Sequence, residues 1–81
     1  PDVAVVEIVV PTDFLGKSLA ELGIRAKHGV HVIGVVHPGD GVKKKEVVVA
    51  PPADTVFHEG EVLLLLGKIE NLGSFKDLYQ R

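Results

Sequence analysis

The sequence predicts a small α+β domain whose elements follow the order β-α-β-β-β-α. Short runs of Val, Ile and Leu, bounded by Pro or Gly, recur along the chain and are typical of strands. One helix-start signal follows the first run, and apolar residues at helical spacing follow the last. The length of 81 residues suits one domain, so residues 1–81 are interpreted as a single unit.

The first predicted strand covers Val3–Val10, where only Glu7 interrupts the apolar residues. Pro11 ends the strand, because proline has no N–H to donate to a sheet. A strand with a single polar interruption is typical of one that is covered on much of both faces.

Ser18 and Glu21 have the S-x-x-E spacing of a capping box, in which each side chain accepts a hydrogen bond from the other residue's backbone N–H. The helix that they begin is predicted to be short, Leu19–Leu22. Gly23 is suited to the left-handed conformation that ends many helices.

A turn over residues 25–29, with Gly29 at positive φ, leads into a strand predicted at Val30–Val36. Strict alternation assigns its side chains to two faces, with Val30, Val32, Gly34 and Val36 on one and His31, Ile33, Val35 and His37 on the other. Turn chemistry at residues 37–41 and a returning strand at Glu46–Val49 predict a hairpin.

The last third of the chain is predicted to contain one strand and one helix. Pro51-Pro52 breaks the hairpin strand, and a turn-bearing linker, Asp54–Gly60, leads to a buried strand at Glu61–Leu66 that Gly67 ends. Ser74 is a candidate N-cap for the final helical turns. The apolar residues at helical spacing are Ile69, Leu72, Phe75 and Leu78.

Composition predicts how the chain associates. Hydrophobic residues make up 46 % of the sequence and aromatic residues only 5 %, which predicts an aliphatic core. A chain of this size buries roughly 60–65 % of its unfolded surface. A monomer has difficulty covering at least four apolar strands with so little chain, so we expect a two-fold homodimer.

Composition also excludes several classes of protein. The longest unbroken apolar run, Val62–Leu66, is far shorter than the about 18 residues of a membrane span. Without cysteine the chain has no disulfide, thiolate zinc site or cysteine nucleophile, which fits a reducing compartment. The net charge is -2 and the only basic run is Lys43–Lys45, which argues against DNA or RNA as a partner. A start at Pro1 predicts a piece of a longer chain, although removal of an initiator Met would leave the same start.

Two motifs are weighed and set aside. Gly16-Lys17-Ser18 stands between a strand and a helix, as in a P-loop, but the first glycine of that motif falls at Pro11, which has no N–H for a phosphate. His31 and His37 are six residues apart, about 20 Å along an extended strand, so they cannot share one metal. No metal site and no set of catalytic residues is predicted, so the chain is interpreted as a non-enzyme.

The ordered set of motifs resembles the RCK C-terminal domain, also called TrkA-C. Residues 14–25, FLGKSLAELGIR, are similar to the opening of that family, and Gly29 with the strand behind it follows in the expected order. Pro51 precedes the segment at residues 60–67, GEVLLLLG, in which Glu61 takes the place of the family's usual Asp. A closing helix matches residues 72–78, so the resemblance covers about residues 3–78.

The resemblance implies a cytoplasmic regulatory domain, usually dimeric, that is attached to a potassium channel, a Trk/Ktr-type gating subunit or a cation/proton antiporter. It implies a location peripheral to or tethered to the inner membrane. The G-x-G-x-x-G fingerprint of the nucleotide-binding domain that often precedes it is absent here, so no NAD or ATP cofactor is implied.

Some members of the family bind cyclic di-AMP at the dimer interface, and the resemblance carries those positions onto Ile24, Arg25, His31, Val32 and Pro51. His31 replaces an Asn of the binding members. A two-fold dimer presents Arg25 twice, which suits a two-fold ligand with two phosphates. A plain surface arginine is the other interpretation of this residue. A purely structural dimerisation module and a small enzyme subunit are the alternative functions.

Overall fold

The computed structural model describes residues 2–79 of the chain. Within them lie four strands, three helices and a 3-10 turn at Thr12–Phe14. In chain order the elements are β1 (Val3–Val9), α1 (Leu19–Leu22), α2 (Ile24–His28), β2 (Val30–His37), β3 (Glu46–Val49), β4 (Val62–Lys68) and α3 (Ile69–Tyr79). The predicted α+β class and the order of the strands are confirmed.

The strands form one antiparallel sheet in the order β1-β4-β2-β3. The central strand, β4, pairs with β1 from Val62 opposite Val9 to Lys68 opposite Val3. On its other side β4 pairs with β2, whereas β3 pairs only with the second half of β2, from Gly34 to His37. The first half of β2 therefore presents an edge without a strand neighbour in the described sheet, next to α2.

One face of the sheet, called the covered face below, carries the helices. Helix α2 packs against β2, and α3 packs against β4 and β1. The core is not purely aliphatic, as composition predicted, because the three phenylalanines are all buried in it. The buried apolar residues are Ile8, Val10, Phe14, Ile24, Val30, Val35, Phe57, Leu63, Leu65, Leu72 and Phe75.

The opposite face of the sheet, called the open face below, carries no helix of the described chain. Five of its valines are more than half exposed, namely Val3, Val5, Val9, Val47 and Val49. Between them lie the half-buried residues Val36, Val62, Leu64 and Leu66. The two apolar faces predicted for β1 are both present, and the described chain covers only one of them.

The start of the first helix is as predicted. Ser18 Oγ accepts the Glu21 N–H at 3.1 Å, and a Glu21 carboxylate oxygen accepts the Ser18 N–H at 3.1 Å, so the capping box is confirmed. Gly23 and Gly29 have φ of 55° and 69°, the left-handed conformations expected of them. The turn predicted at residues 25–29 is wrong, since residues 25–28 belong to a second helix, α2, and Gly29 is its C-cap.

The prediction of Ser74 as an N-cap is also wrong. Helix α3 begins at Ile69 directly after β4, and the Ile69 N–H donates to Asp2 O at 2.8 Å. Because the helix begins five residues before Ser74, this residue lies inside it, and its hydroxyl donates to Glu70 O at 3.1 Å. Strand β4 likewise continues through Gly67 to Lys68 rather than ending at the glycine.

A β-bulge at Ile33 breaks the strict alternation predicted for β2. Val32 lies opposite Leu65 and Gly34 opposite Leu64, so Ile33 has no partner in β4. The side chains after the bulge are turned over relative to those before it, and Val30 and Val35 are both buried on the covered face. His31 and His37 therefore lie on opposite faces, and the prediction that they share one is wrong.

The helices of the described residues are all too short or too polar to cross a bilayer.

Candidate functional site

A cleft lies between the helix pair α1–α2 and the first half of β2. Its volume is about 310 Å³, and it is open to solvent. Its walls come from both helices and from the strand edge that β3 leaves unpaired. The lining residues are Leu19, Ala20, Gly23, Ile24, Arg25, Ala26, Val30, His31 and Val32.

Local sequence explains how the cleft forms. The capping box begins α1, and Gly23 in the left-handed conformation ends it and starts α2 at a new angle. Ile24, only 2 % exposed, fixes α2 to the core. Gly29, again left-handed, then turns the chain into β2, so that Arg25 and His31 lie near each other although a turn separates them.

The cleft combines an apolar lining with one permanent positive charge. Arg25 is exposed, and it makes no ion pair with any residue between 2 and 79. A guanidinium group can donate two parallel hydrogen bonds to a phosphate. His31, also exposed, offers ring nitrogens at the mouth of the cleft. This arrangement is suited to an anion that also carries flat apolar groups.

Four of the five predicted ligand-binding residues line this one cleft: Ile24, Arg25, His31 and Val32. Pro51 does not line it and is buried in the segment that follows β3. That segment still lies beside α1, because the Ala20 N–H donates to Ala53 O at 2.9 Å. Ligand binding by any of the five residues stays a prediction.

Sequence reasoning missed part of the lining, Leu19, Ala20, Gly23, Ala26 and Val30. Helical spacing gives little signal in two helices of four and five residues, each shorter than one and a half turns. The left-handed glycine between them was the available clue, since it predicts a change of chain direction.

The Gly16-Lys17-Ser18 segment does not form a phosphate-binding loop. The Gly16 N–H donates to Phe57 O at 3.1 Å, and the Lys17 N–H donates to Phe14 O at 3.1 Å. These N–H groups are therefore unavailable to a nucleotide, and the Ser18 hydroxyl is used in the helix cap.

A second polar cluster lies at the far end of the sheet. Glu61 is 2 % exposed, its Oε1 accepts the His58 N–H at 2.7 Å, and its Oε2 lies 2.6 Å from His37 Nδ1. The ring of His37 is not aligned for a hydrogen bond, so Oε2 has no aligned donor among the described residues. His58 Nδ1 is farther away, at 3.8 Å. Within residues 2–79 no three His, Asp or Glu side chains are placed to hold a metal ion.

Comparison with known proteins gives the family. The TrkA-C domain model matches residues 3–80. The Ktr system potassium uptake protein C of Bacillus subtilis (strain 168) is 32 % identical over 73 residues, which are 90 % of this chain and 30 % of that protein. The chain thus spans about a third of this curated relative.

Solved structures share the fold. The RCK C domain of the potassium transport protein KtrA, in complex with c-di-AMP, superimposes with a TM-score of 0.80 at 22 % identity, over 94 % of this chain and 82 % of that chain. The RCK_C domain dimer of S. agalactiae BusR, also in complex with c-di-AMP, gives a TM-score of 0.73 at 24 % identity, over 91 % and 92 % of the two chains. With the family model matching nearly its whole length, this chain belongs to the TrkA-C domain family.

Proposed function

We propose that this chain is a non-catalytic regulatory domain of a potassium or cation transport system, which dimerises and binds cyclic di-AMP. The cleft beside β2 is the binding site of each copy. The membrane-embedded channel or antiporter belongs to the same chain or to an associated one, and the domain lies on its cytoplasmic side. Ligand binding changes the relative populations of two dimer arrangements and so alters transport.

The main support for this proposal is that Ile24, Arg25, His31 and Val32 all line one cleft. The resemblance selected these residues from two segments of the sequence, and the fold places them around a single cavity. The cleft also has the chemistry that an adenine dinucleotide requires, with aliphatic surface for the bases and an unpaired guanidinium for phosphate. The RCK C domains of KtrA and BusR have been solved in complex with this ligand.

Symmetry supports one ligand per dimer. Cyclic di-AMP has two-fold symmetry and two phosphates, and a two-fold dimer supplies two copies of Arg25. The BusR domain is described as a dimer. The overall charge opposes the ligand, because two chains of -2 give -4. Binding therefore depends on the local charge of Arg25 in each copy.

The second candidate is a structural dimerisation module without a ligand. It is favoured by the same negative charge and by Pro51, which lies outside the cleft. Nucleic acid is not expected as a partner of this stretch of chain, since its net charge is -2 and its only basic run, Lys43–Lys45, is three residues long. BusR has been solved with its busAB-promotor DNA, but this chain spans only 34 % of the BusR chain in that complex.

Isothermal titration of the parent with cyclic di-AMP tests the proposal. We expect one ligand per two chains. Arg25→Ala removes a charged hydrogen bond of about 1.5–3 kcal/mol from each copy, two for each ligand, so it should weaken binding by roughly 150-fold or more. Lys27→Ala is the matched control, because Lys27 is an exposed cation of the same helix that does not line the cleft.

Two results would contradict the proposal. One is the absence of heat at about 100 μM ligand, where even a weak site would be occupied. The other is equal binding by the Arg25→Ala and Lys27→Ala variants. Either result would leave the structural dimerisation module as the function.

A further inference from the structure

We propose that Tyr79 and His28 are a pair of positioning residues, which fix α2 so that Arg25 stays in place at the wall of the cleft. Neither residue of the pair lines the cleft itself. Their hydrogen bond joins the last turn of α3 to the last residue of α2. Their effect on binding rests on the proposed function, whereas their effect on α2 is independent of any ligand.

Helix α2 is too short to hold its own position. It has five residues, Ile24–His28, and isolated helices of fewer than about 12 residues are marginal in water. Its N-cap is Gly23, which has no side chain to accept a backbone N–H. The position of α2 therefore depends on its contacts with the rest of the fold.

Two residues of α2 supply these contacts, one at each end of the helix. Ile24 is buried in the core, and His28 is half-buried. Residues at this spacing lie on the same face of a helix, so the two define the face that packs on the domain. Arg25 follows the first of them, is exposed and lines the cleft. Without the contact at His28, the helix that carries Arg25 would be held at one end only.

The ring of His28 is fixed by side chains of α3. Its Nε2 lies 3.0 Å from the Tyr79 hydroxyl, within hydrogen-bond distance. The ring also packs edge-on against Phe75 and Tyr79, at centroid distances of 5.2 Å and 5.4 Å. Edge-to-face ring pairs at such distances are favourable. The imidazole is thus held by two rings and by one directional polar contact.

Tyr79 is itself held in place, so it can support His28. The centroid of its ring lies 4.8 Å from those of both Phe14 and Phe75, two residues of the core. A half-buried tyrosine hydroxyl usually has a hydrogen-bond partner, and here the partner is His28. Packing therefore fixes the Tyr79 ring, and its hydroxyl orients the end of α2.

A second contact places α3 against the end of α2. Gly29, the C-cap of α2, is in the left-handed conformation, and a Cβ at this position would lie 2.9 Å from Nδ2 of Asn71. Helix α3 therefore lies directly against the turn between α2 and β2. The two polar residues of the cleft, Arg25 and His31, lie before and after this turn. The support from α3 thus acts at the point that sets their relative positions.

The expected benefit for binding is preorganisation. A guanidinium that is already held in place loses less conformational entropy when it binds a phosphate. A two-fold ligand meets Arg25 of two copies, so any looseness of α2 counts twice.

Amide hydrogen exchange, measured by NMR without ligand, tests whether Tyr79 fixes α2. The Lys27 and Gly29 N–H groups donate to carbonyls of the preceding turn, each at 2.9 Å, so their protection factors report the opening of α2. Tyr79→Phe removes the hydroxyl and keeps the ring. It should lower both protection factors by about fivefold, the effect of one neutral hydrogen bond.

Three further variants make this result specific. Ser74→Ala removes the other hydroxyl of α3, which donates to Glu70 O, and should leave both protection factors within about twofold of the parent. His28→Phe breaks the same hydrogen bond from the other side and keeps a ring against Phe75. The double variant, with Tyr79→Phe and His28→Phe, should be no less protected than the single ones, because one hydrogen bond can be lost only once.

Isothermal titration with cyclic di-AMP tests whether the position of α2 matters for binding. Tyr79→Phe and His28→Phe should each weaken binding by about fivefold or more, because Arg25 of both copies must then be immobilised on binding. Ser74→Ala should bind like the parent. A loss of global stability alone leaves the dissociation constant unchanged while the protein stays folded, which thermal melts of the variants check.

The proposal is overturned if Tyr79→Phe and Ser74→Ala give equal protection of Lys27 and Gly29. It is also overturned if the parent binds cyclic di-AMP and Tyr79→Phe binds it equally well, a result that leaves the proposed function standing. A parent that gives no heat with the ligand refutes the proposed function, and the protection factors then decide alone whether the pair fixes α2.

Discussion

Replacement of the buried Glu61 by alanine should destabilise the domain substantially. The carboxylate is 2 % exposed at the start of the central strand and accepts the His58 N–H at 2.7 Å. The two residues also close a turn, in which the Glu61 N–H donates to His58 O at 3.3 Å and Gly60 has a φ of 86°. Glu61 therefore fixes the loop that enters β4.

The magnitude follows from the contacts that the substitution removes. A hydrogen bond to a charged group contributes about 1.5–3 kcal/mol, and the buried methylene adds about 0.8 kcal/mol. The contact with His37 adds little, because that side chain is 45 % exposed and water replaces the carboxylate. The free energy of unfolding should fall by about 2–4 kcal/mol, which lowers the melting temperature of a domain this small by roughly 10–25 °C.

Urea unfolding followed by circular dichroism measures this change, and two variants make the result specific. Glu61→Gln keeps an oxygen for the His58 N–H and should lose only about 1–2 kcal/mol. Glu59→Ala changes the exposed neighbour in the same loop and should stay within about 0.5 kcal/mol of the parent. A Glu61→Ala variant as stable as Glu59→Ala would refute the argument that the buried carboxylate fixes this loop.

The remaining predictions concern local features. Ser18→Ala should cost about 1 kcal/mol in a thermal melt by removing the helix cap, and unchanged stability would contradict it. Lys43 and Val42 donate backbone N–H groups to the Asp40 carboxylate and hold its pKa below the ordinary value. Because the pKa of Asp40 is lower in the folded than in the unfolded chain, its ionised carboxylate stabilises the fold at pH values above the unfolded pKa. This stabilisation is lost as the pH falls through the folded pKa. Asp40→Asn should therefore flatten the acid side of the stability curve, and an unchanged curve would argue against it. Deletion of Ile33 should leave unfolding cooperative, because Val32 on the covered face and Gly34 on the open face then follow each other in regular alternation opposite Leu65 and Leu64; a variant without a cooperative melting transition would contradict this.

Features set by neighbouring residues could be predicted from the sequence. The capping box depends on two side chains three residues apart, and the left-handed glycines depend on the absence of a Cβ, so both are visible in a short window. The cleft residues were found through resemblance, since Arg25 and His31 have no local signature that distinguishes them from surface residues.

Features set by distant pairing could not be predicted. Phe57 falls in a segment interpreted as a linker, yet it is fully buried and bridges to Leu15, 42 positions away in the chain. The bulge at Ile33 could not be predicted either, because valine or isoleucine occupies both faces of β2. Either register therefore gives an apolar pattern. The register is fixed by the burial of Val30 and Val35 on the same face, and this burial depends on β4 and the helices.

The bulge at Ile33 allows side chains of one strand, β2, to reach three regions: the cleft, the core and the buried Glu61. Before it, His31 points to the open face and Val32 to the covered face, and both side chains reach the cleft at the unpaired edge of β2. After it, Val35 returns to the core and His37 reaches the buried Glu61. Strand β2 has one residue more than regular pairing with β4 requires, so strict alternation through Ile33 would place one half of the strand on the wrong face, and the bulge prevents this.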